Sequence, residues 1–358
     1  MASPPSPLIL VVNTGSTSTK VALFRARRAV TEQTARHPVE DLNAFRRLVD
    51  QAPMREAAVL DVLDRSGTTP ADLDAVSCRG GLLAPLPSGT YRVGPKMLDD
   101  LRTGRYGVHA SNLSAIIGAR IADQADAPAF IVDPVVVDEL CPEARYSGIP
   151  EIERRSIWHA LNQKAVARRV AKKLGRRYEE ANLIVVHLGG GTSVAAHRRG
   201  VAVDVNNALD GDGPFAVERS GGLPAADLVR LAYKTRKAEL LAKITGEGGV
   251  VAYLGTNDLR EVARRAVDGD EAARTVLGAM AYQVAKEVGA CAAVLAGEVD
   301  AIAITGGAAR CRSLVRRLRR RVRFLAPVHV VAGTFEMEAL AEGALRVLTG
   351  EAPARDYR

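Results

Sequence analysis

LILVVNTGSTSTKVALFRARRAV, residues 8–30, sets eight consecutive polar or glycine residues, Asn13 to Lys20, between two apolar runs. Five of the eight carry hydroxyls: Thr14, Ser16, Thr17, Ser18 and Thr19. A phosphate-binding P-loop would read GxxxxGK[ST] and open a helix. Here no glycine precedes Lys20, and VALF continues as a strand. The turn therefore joins two antiparallel strands, with Gly15 available for a positive φ. Successive N–H groups and hydroxyls in such a turn form a concave anion site. The plainer role for the same hydroxyls is to cap their own backbone.

The same grammar returns at LIVVHLGGGTSVAAHRRGVAVDV (183–205): strand, Gly-rich turn, strand, charged turn, strand. A second echo pairs DAVSCRGG (74–81) with DAIAITGG (300–307), each an Asp-Ala, an apolar strand and a terminal Gly-Gly. Too few copies at too long a period exclude a solenoid and point to internal duplication of a βββαβα unit. Helical stretches at 107–124, 156–175, 225–243 and 257–297 alternate with the strands, which gives an α/β class. Acidic residues open DGDEAARTVLGAMAYQVAKEVGACAAVLAG (268–297) and Gly297 closes it. Two phosphate-holding hairpins, one per half, suit a nucleoside triphosphate or a phosphate held in a cleft.

At 358 residues, two domains are expected. No apolar stretch reaches the roughly 20 residues of a membrane span. MASPPSPLIL lacks the basic and long apolar regions of a signal peptide. Cys78, Cys141, Cys291 and Cys311 are widely spaced without CxxC, so free thiols in a cytoplasmic protein are expected rather than disulfides or zinc. The net charge of +8 is densest in RSLVRRLRRRVRF (312–324), where Leu314, Val315 and Leu318 recur at helical spacing and imply one solvated basic face. No helix-turn-helix, zinc or RNP pattern supports a nucleic-acid partner.

Several motifs, in order, extend over nearly the whole chain: HASNL (109–113), FIVDPVVVDEL (130–140), SGIPEIERRSIWHALNQKAVAR (147–168), HLGGGTSVAAH (187–197), DVNNALDGDGPFAVERSGGLP (204–224), VAYLGTND (251–258) and EMEALAEGALRVL (336–348). On these the sequence resembles the acetokinase family of the actin-like, sugar-kinase and Hsp70 superfamily, most closely its butyrate-kinase branch. Two departures stand out: NTG at 13–15 where the family more often has NPG, and AARC after Thr305-Gly306-Gly307.

The resemblance implies two duplicated ribonuclease-H-like (actin-like ATPase) domains with a central cleft. The first would be 1–150, completed by a C-terminal helix 335–358, and the second 151–334. It implies reversible transfer of phosphoryl from ATP, with Mg²⁺, to a short-chain carboxylate such as butyrate or isobutyrate. The alternatives are an acetate or propionate kinase, or a non-catalytic ATP-binding regulator. It further implies a homodimer or higher homo-oligomer, with no nucleic-acid or membrane partner. A carboxylate nucleophile is already ionised at neutral pH. Positioning and charge stabilisation therefore carry the catalysis, and no general base is needed.

By the same resemblance, Arg79 and Arg219, each before a Gly-Gly, grip carboxylate and transferring phosphoryl, a task suited to a permanently charged bidentate guanidinium. Asp133, after the strand FIVD, and Glu336 are the magnesium-associated carboxylates, with Glu338 an alternative for the latter. A lone carboxylate at a helix start otherwise serves the dipole. His159 stabilises the transferring phosphoryl, and His109 is a weaker substrate contact. Asn13 is counted with the catalytic residues and lies, with Ser16, nearest the reacting group; phosphate contacts fall to these two and to Ser18, Lys20 and the Gly189, Gly190, Gly191 turn. Asp210 and Gly211 are placed at ribose or phosphate, and Thr305, Gly306 and Gly307 at adenosine. His187 is grouped with the nucleotide contacts and not with the catalytic residues. Asp204 is expected to bind neighbouring backbone amides.

Overall fold

The polar run that opens the chain resolves into a tight turn, Gly15 to Thr17, between strands that use its other residues. A computed structural model describes residues 6–358; the first half of the leader reading at 1–10 lies outside the described residues. The strands are β1 (Leu8–Thr14), β2 (Ser18–Arg25), β3 (Arg28–Arg36), β4 (Ala75–Arg79), β5 (Thr90–Arg92), β6 (Ala129–Val132), β7 (Asn182–Leu188), β8 (Thr192–Arg198), β9 (Val201–Val205), β10 (Ala301–Gly306), β11 (Val328–Ala332) and β12 (Arg355–Asp356). Gly15 does not take a positive φ. Its N–H donates to Ser18 O at 2.8 Å and closes the turn.

The chain divides into Met1–Val137 with Phe335–Arg358, and Asp138–Thr334. The expected boundary at 150 moves to Val137 because the intervening residues are bonded into the second unit. Cys141 N donates to Val203 O at 2.9 Å, and Glu139 Oε2 accepts from Lys164 Nζ at 2.8 Å and Ala202 N at 3.0 Å.

In the first unit the sheet order is β12-β5-β6-β4-β1-β2-β3, and in the second β11-β10-β7-β8-β9. The shared run is an antiparallel meander, β1-β2-β3 or β7-β8-β9, extended by two parallel strands, β4 and β6 or β10 and β11. The repeated Asp-Ala now has a physical cause. Asp74 and Asp300 sit just before the first parallel strand of each sheet. Leu8 N donates to Asp74 Oδ2 at 2.7 Å and Asn182 N to Asp300 Oδ2 at 2.8 Å. In return Asp74 N and Asp300 N each donate to the same residue's carbonyl at 2.9 Å. The carboxylate satisfies an N–H that the parallel ladder would leave unpaired at the start of the central strand.

β1 is buried along its whole length, between the helices Asn112–Ala125 and Glu336–Leu348. The second helix comes close because Gly343 faces Val132, where any Cβ would collide. Ser77 Oγ and Thr90 Oγ1 donate to carbonyls of this helix, Leu340 O at 2.7 Å and Gly343 O at 3.1 Å. In the second unit the helix Glu271–Val294 packs Met280, Val284 and Val288 into a core shared with Ile184, Val186, Ile302 and Leu314. Asp270 caps it, accepting from Ala273 N at 3.0 Å. The helical stretch expected at 257–297 is broken at Asp268–Asp270, and that at 225–243 between Ala232 and Lys237. The basic run forms the helix Arg312–Val322, with Leu314, Leu318 and Val322 buried. The four cysteines are free, and among the described residues no helix is long and apolar enough to cross a membrane.

Candidate functional site

In the first unit β1, β4 and β6 run parallel, so their C-terminal ends share one edge of the sheet. Ligands in open α/β sheets gather at such an edge. Asn13 lies one residue from the end of β1, Arg79 ends β4, and Asp133 follows β6. Glu336 opens the helix that packs on these strands. Asn13 Nδ2 donates to Glu336 Oε2 at 3.0 Å, and Arg79 reaches Asn13 Oδ1 at 3.4 Å. The Arg79 guanidinium stands 3.6 Å from Glu336 Oε2, with both side chains partly accessible. It is Glu336, not Glu338, that joins this cluster. Lys20 is paired with Asn13 across the hairpin, which puts the two on the same face.

Asp133 is 2% exposed and takes φ +37°. That left-handed conformation is uncommon for a residue with a side chain, and such residues gather at ligand sites. Gly89 holds it there from both sides: Asp133 N donates to Gly89 O at 3.0 Å and Gly89 N to Asp133 Oδ1 at 2.8 Å. His109 is exposed, with Nδ1 bonded to Ser111 Oγ at 2.8 Å.

The hydroxyl-rich turn depends on Arg55, a residue absent from the sequence reading. Arg55 is 0% exposed and donates to Gly15 O at 2.9 Å, Ser18 O at 3.0 Å and Ser16 O at 2.8 Å. Gln51 Oε1 takes a further bond from it at 3.0 Å. Burial pushes its pKa down from the usual arginine range. With the turn's carbonyls drawn inward, Ser16 is left exposed and Ser18 half-buried.

In the second unit Gly189–Gly191 turns between β7 and β8, and two histidines stack beside it. The His159 and His187 rings are 3.7 Å apart and 1° from parallel. Both are held through Nδ1. Asn162 Nδ2 donates to His187 Nδ1 at 2.9 Å and to Thr305 Oγ1 at 3.3 Å, which sets the ring proton of His187 on Nε2. Thr305 is buried and donates to Gly333 O at 3.1 Å. Through Asn162 its hydroxyl therefore supports His187.

His159 Nδ1 meets Ser193 Oγ at 2.8 Å. Gln163 Nε2 also donates to Ser193 Oγ at 2.8 Å, so the hydroxyl proton turns toward His159. Gln163 Oε1 takes His197 Nε2–H at 3.1 Å, and Tyr178 donates to His197 Nδ1 at 2.7 Å. Burial first, then Lys164, pushes His197 down to about 3. This pKa makes a testable signature. Between pH 6.5 and about 3 the unfolded chain binds the His197 proton and the folded chain does not. Stability from this residue is therefore full above pH 6.5 and falls on acidification, by about 1.4 kcal/mol per pH unit. Urea unfolding from pH 8 to 4 is expected to show a shallower acid loss in His197→Gln than in the parent. Parallel curves would place the proton elsewhere.

Arg219 is half-buried beside the turn. Its guanidinium donates to Ala208 O at 2.6 Å and to Thr245 O at 3.4 Å. Burial lowers its pKa, opposed by Glu218 and Asp210. A Cβ on Gly191 would collide with the Arg219 guanidinium, so the turn and the arginine occupy adjoining space. Next to them is a cavity of about 550 Å³, lined by Gly189, Gly190, Glu218, Asn257, Gly307 and Arg310 among others. Its size suits a nucleotide. Glu218 accepts from Asn257 Nδ2 at 3.0 Å. Neither residue had been assigned a role, although both lie inside quoted motifs. Asp210 accepts from Asn207 at 3.1 Å and Arg155 at 3.0 Å, beside Gly211 at φ +85°. Asp204 binds the Arg154 guanidinium at 3.0 Å. That corrects its expected role at backbone amides, since a charged partner half-buried beside it outcompetes neutral donors.

Comparison with known proteins adds three findings. The model of the acetokinase family matches residues 149–329. Butyrate kinases 1 and 2 of Clostridium acetobutylicum are 49% and 50% identical, each over 98% of this chain and 99% of the relative. Among solved structures, the acetate kinase of Porphyromonas gingivalis superimposes with a TM-score of 0.74 at 20% identity, over 96% of this chain and 100% of that one. This last likeness bears on the fold alone, an α/β duplication of the actin-like ATPase type.

Proposed function

This chain belongs to the acetokinase family, and from that premise we propose that it transfers the terminal phosphoryl of ATP to a short-chain carboxylate, with butyrate and its branched relatives preferred over acetate and propionate. The single observation that carries the reading is the Asn13–Arg79–Glu336 cluster at the C-terminal edge of parallel strands. It sets a guanidinium and an amide where an anion is received.

The substrate carboxylate needs no deprotonation. The protein's work is to bring two anions together and spread the charge that develops on the transferring group. Arg79 orients the carboxylate. In the first unit Asn13, Ser16, Ser18 and Lys20 offer donors suited to phosphate oxygens, and in the second unit the Gly189–Gly191 turn and Arg219 do the same. The ring proton of His159, held on Nε2 through Ser193, makes it a hydrogen-bond donor to a phosphoryl oxygen. The cavity by Glu218 and Asn257 takes the nucleoside. Asp133 and Glu336 offer hard carboxylate oxygens, the donor type and number that Mg²⁺ takes alongside phosphates and water. The bound ion neutralises phosphate charge. A homo-oligomer and a cytoplasmic location belong to the same reading.

The test is ATP- and Mg²⁺-dependent hydroxamate formation from acetate, propionate, butyrate, isobutyrate and isovalerate. The expected kcat/KM is highest for the four- and five-carbon acids. Each methylene is worth only about 1–3 kcal/mol, so neighbouring chain lengths overlap. A maximum at acetate overturns the substrate assignment. No acyl phosphate from any acid, in protein that binds ATP, overturns the kinase.

A further inference from the structure

The helix Arg312–Val322 is held by Leu314, Leu318 and Val322, which join the core shared with the helix Glu271–Val294. Its other side borders a second cavity, of about 870 Å³, between this helix and β11. Five exposed arginines line it: Arg312, Arg316, Arg319, Arg320 and Arg323. They lie along one face and span about 16 Å of helix axis. No Asp or Glu lines the cavity.

Several exposed arginines elsewhere are met by acids at short range, as in Arg47–Asp50, Arg177–Glu180, Arg260–Asp258 and Arg264–Asp268. Arg321 of the same helix turns away and stacks over Tyr282 at 5.2 Å. The five in the groove repeat at i+3 and i+4, spacings at which like charges destabilise a helix. A bound anion relieves that repulsion, and a guanidinium row grips phosphate oxygens in pairs.

The floor narrows the choice of anion. Val315, Ala326, Val328 and Val330 line it, the last two from β11 at the free edge of its sheet. An apolar floor under a cationic wall fits a small molecule that carries both several phosphates and an apolar or aromatic portion. A bare polyanion would use only the wall. The volume lies in the range of small-molecule sites. The turn Gly307–Arg310 lies between the two cavities. Gly307, Ala308 and Arg310 line the cavity beside the Gly189–Gly191 turn, and Ala309 lines the arginine groove.

We propose that the groove between the helix Arg312–Val322 and β11 is a second ligand site, for an organic polyphosphate, and that its occupancy is coupled through the turn Gly307–Arg310 to the cavity assigned above to the nucleotide. The coupling half rests on that assignment; the binding half does not.

The test titrates the full chain calorimetrically with coenzyme A, inorganic tripolyphosphate and a short single-stranded oligonucleotide. Arg316→Gln/Arg320→Gln is run in parallel. Both side chains are exposed and outside the proposed reaction, so the variant keeps its fold and basal kcat. Coenzyme A is expected to bind more tightly than tripolyphosphate. Its affinity is expected to weaken with salt, and to fall at least about tenfold in the double variant as charge-assisted bonds are lost. Equal affinity in parent and variant overturns the site. So does an absence of binding by every probe, while tighter binding by the oligonucleotide reassigns the groove to nucleic acid and overturns the small-ligand reading. For the coupling, saturating coenzyme A is expected to change the Kd for ADP at least about fivefold in the parent and not in the variant. An unchanged Kd for ADP overturns the coupling while leaving the binding result and the kinase assay to stand separately.

Discussion

Gly191→Ala is expected to lower kcat about 100- to 1,000-fold, the size of effect seen when one charge-stabilising donor is lost from an active site. Gly191 does not take a positive φ, so alanine meets no backbone penalty there. The conflict is with what lies beside it. The new methyl would overlap the Arg219 guanidinium and stand 2.8 Å from Ala208 O. Ala208 O is also the acceptor that holds Arg219. The side chain is the softer obstacle, so the guanidinium moves and its bond to Ala208 is lost. Overpacking of this kind costs about 1–3 kcal/mol of stability, which a folded chain survives. Gly189→Ala is the control, since its nearest neighbour is His187 Nε2 at 3.3 Å. Steady-state kinetics with thermal unfolding decide the matter. A Gly191→Ala protein with parental kcat would remove Arg219 from phosphoryl transfer.

Arg55→Ala is expected to destabilise the chain by about 3–5 kcal/mol, since several acceptors lose a charged donor at once and each buried group left unsatisfied costs about 1–3 kcal/mol. Three carbonyls of one turn, those of Gly15, Ser16 and Ser18, lose their donor together. Gln51 Oε1, which accepts two bonds from the same guanidinium at 3.2 and 3.0 Å, loses both. Arg55→Lys restores a charge but not the planar fork that spans three acceptors, so it recovers only part of the loss. Because the carbonyls no longer face inward, the hydroxyl-rich turn loses its shape. KM for ATP is then expected to rise more than kcat falls. Urea unfolding and amide exchange at residues 15–19 report the two effects separately. A loss below about 1 kcal/mol would mean that water replaces the guanidinium without penalty.

Much of this architecture is written locally. The strand–turn–strand grammar of 8–30 and 183–205 is enough to draw two meanders, because short apolar runs bounded by polar, glycine-rich or charged turns are local signals. The Asp-Ala echo at 74 and 300 marks equivalent positions in both sheets, and the Asp bonds explain why the echo exists. Arg79, Arg219, Asp133 and Glu336 stand in motifs whose order carries a family resemblance. Tertiary structure alone decided the rest. Asn13 and Glu336 are 323 positions apart when they bond, so only the return of the last helix could choose Glu336 over Glu338. Arg55 reaches its turn across about 40 positions, and although it falls in helical register with buried Ala52, Val59 and Val62, that spacing does not say which acceptors it meets. The Tyr178–His197–Gln163–Ser193–His159 chain joins a strand pair to a helix and a short turn. The physical reason is the same throughout. Period and turn chemistry act between neighbours and are visible in one dimension, whereas burial of a charge is set by whatever the fold brings against it.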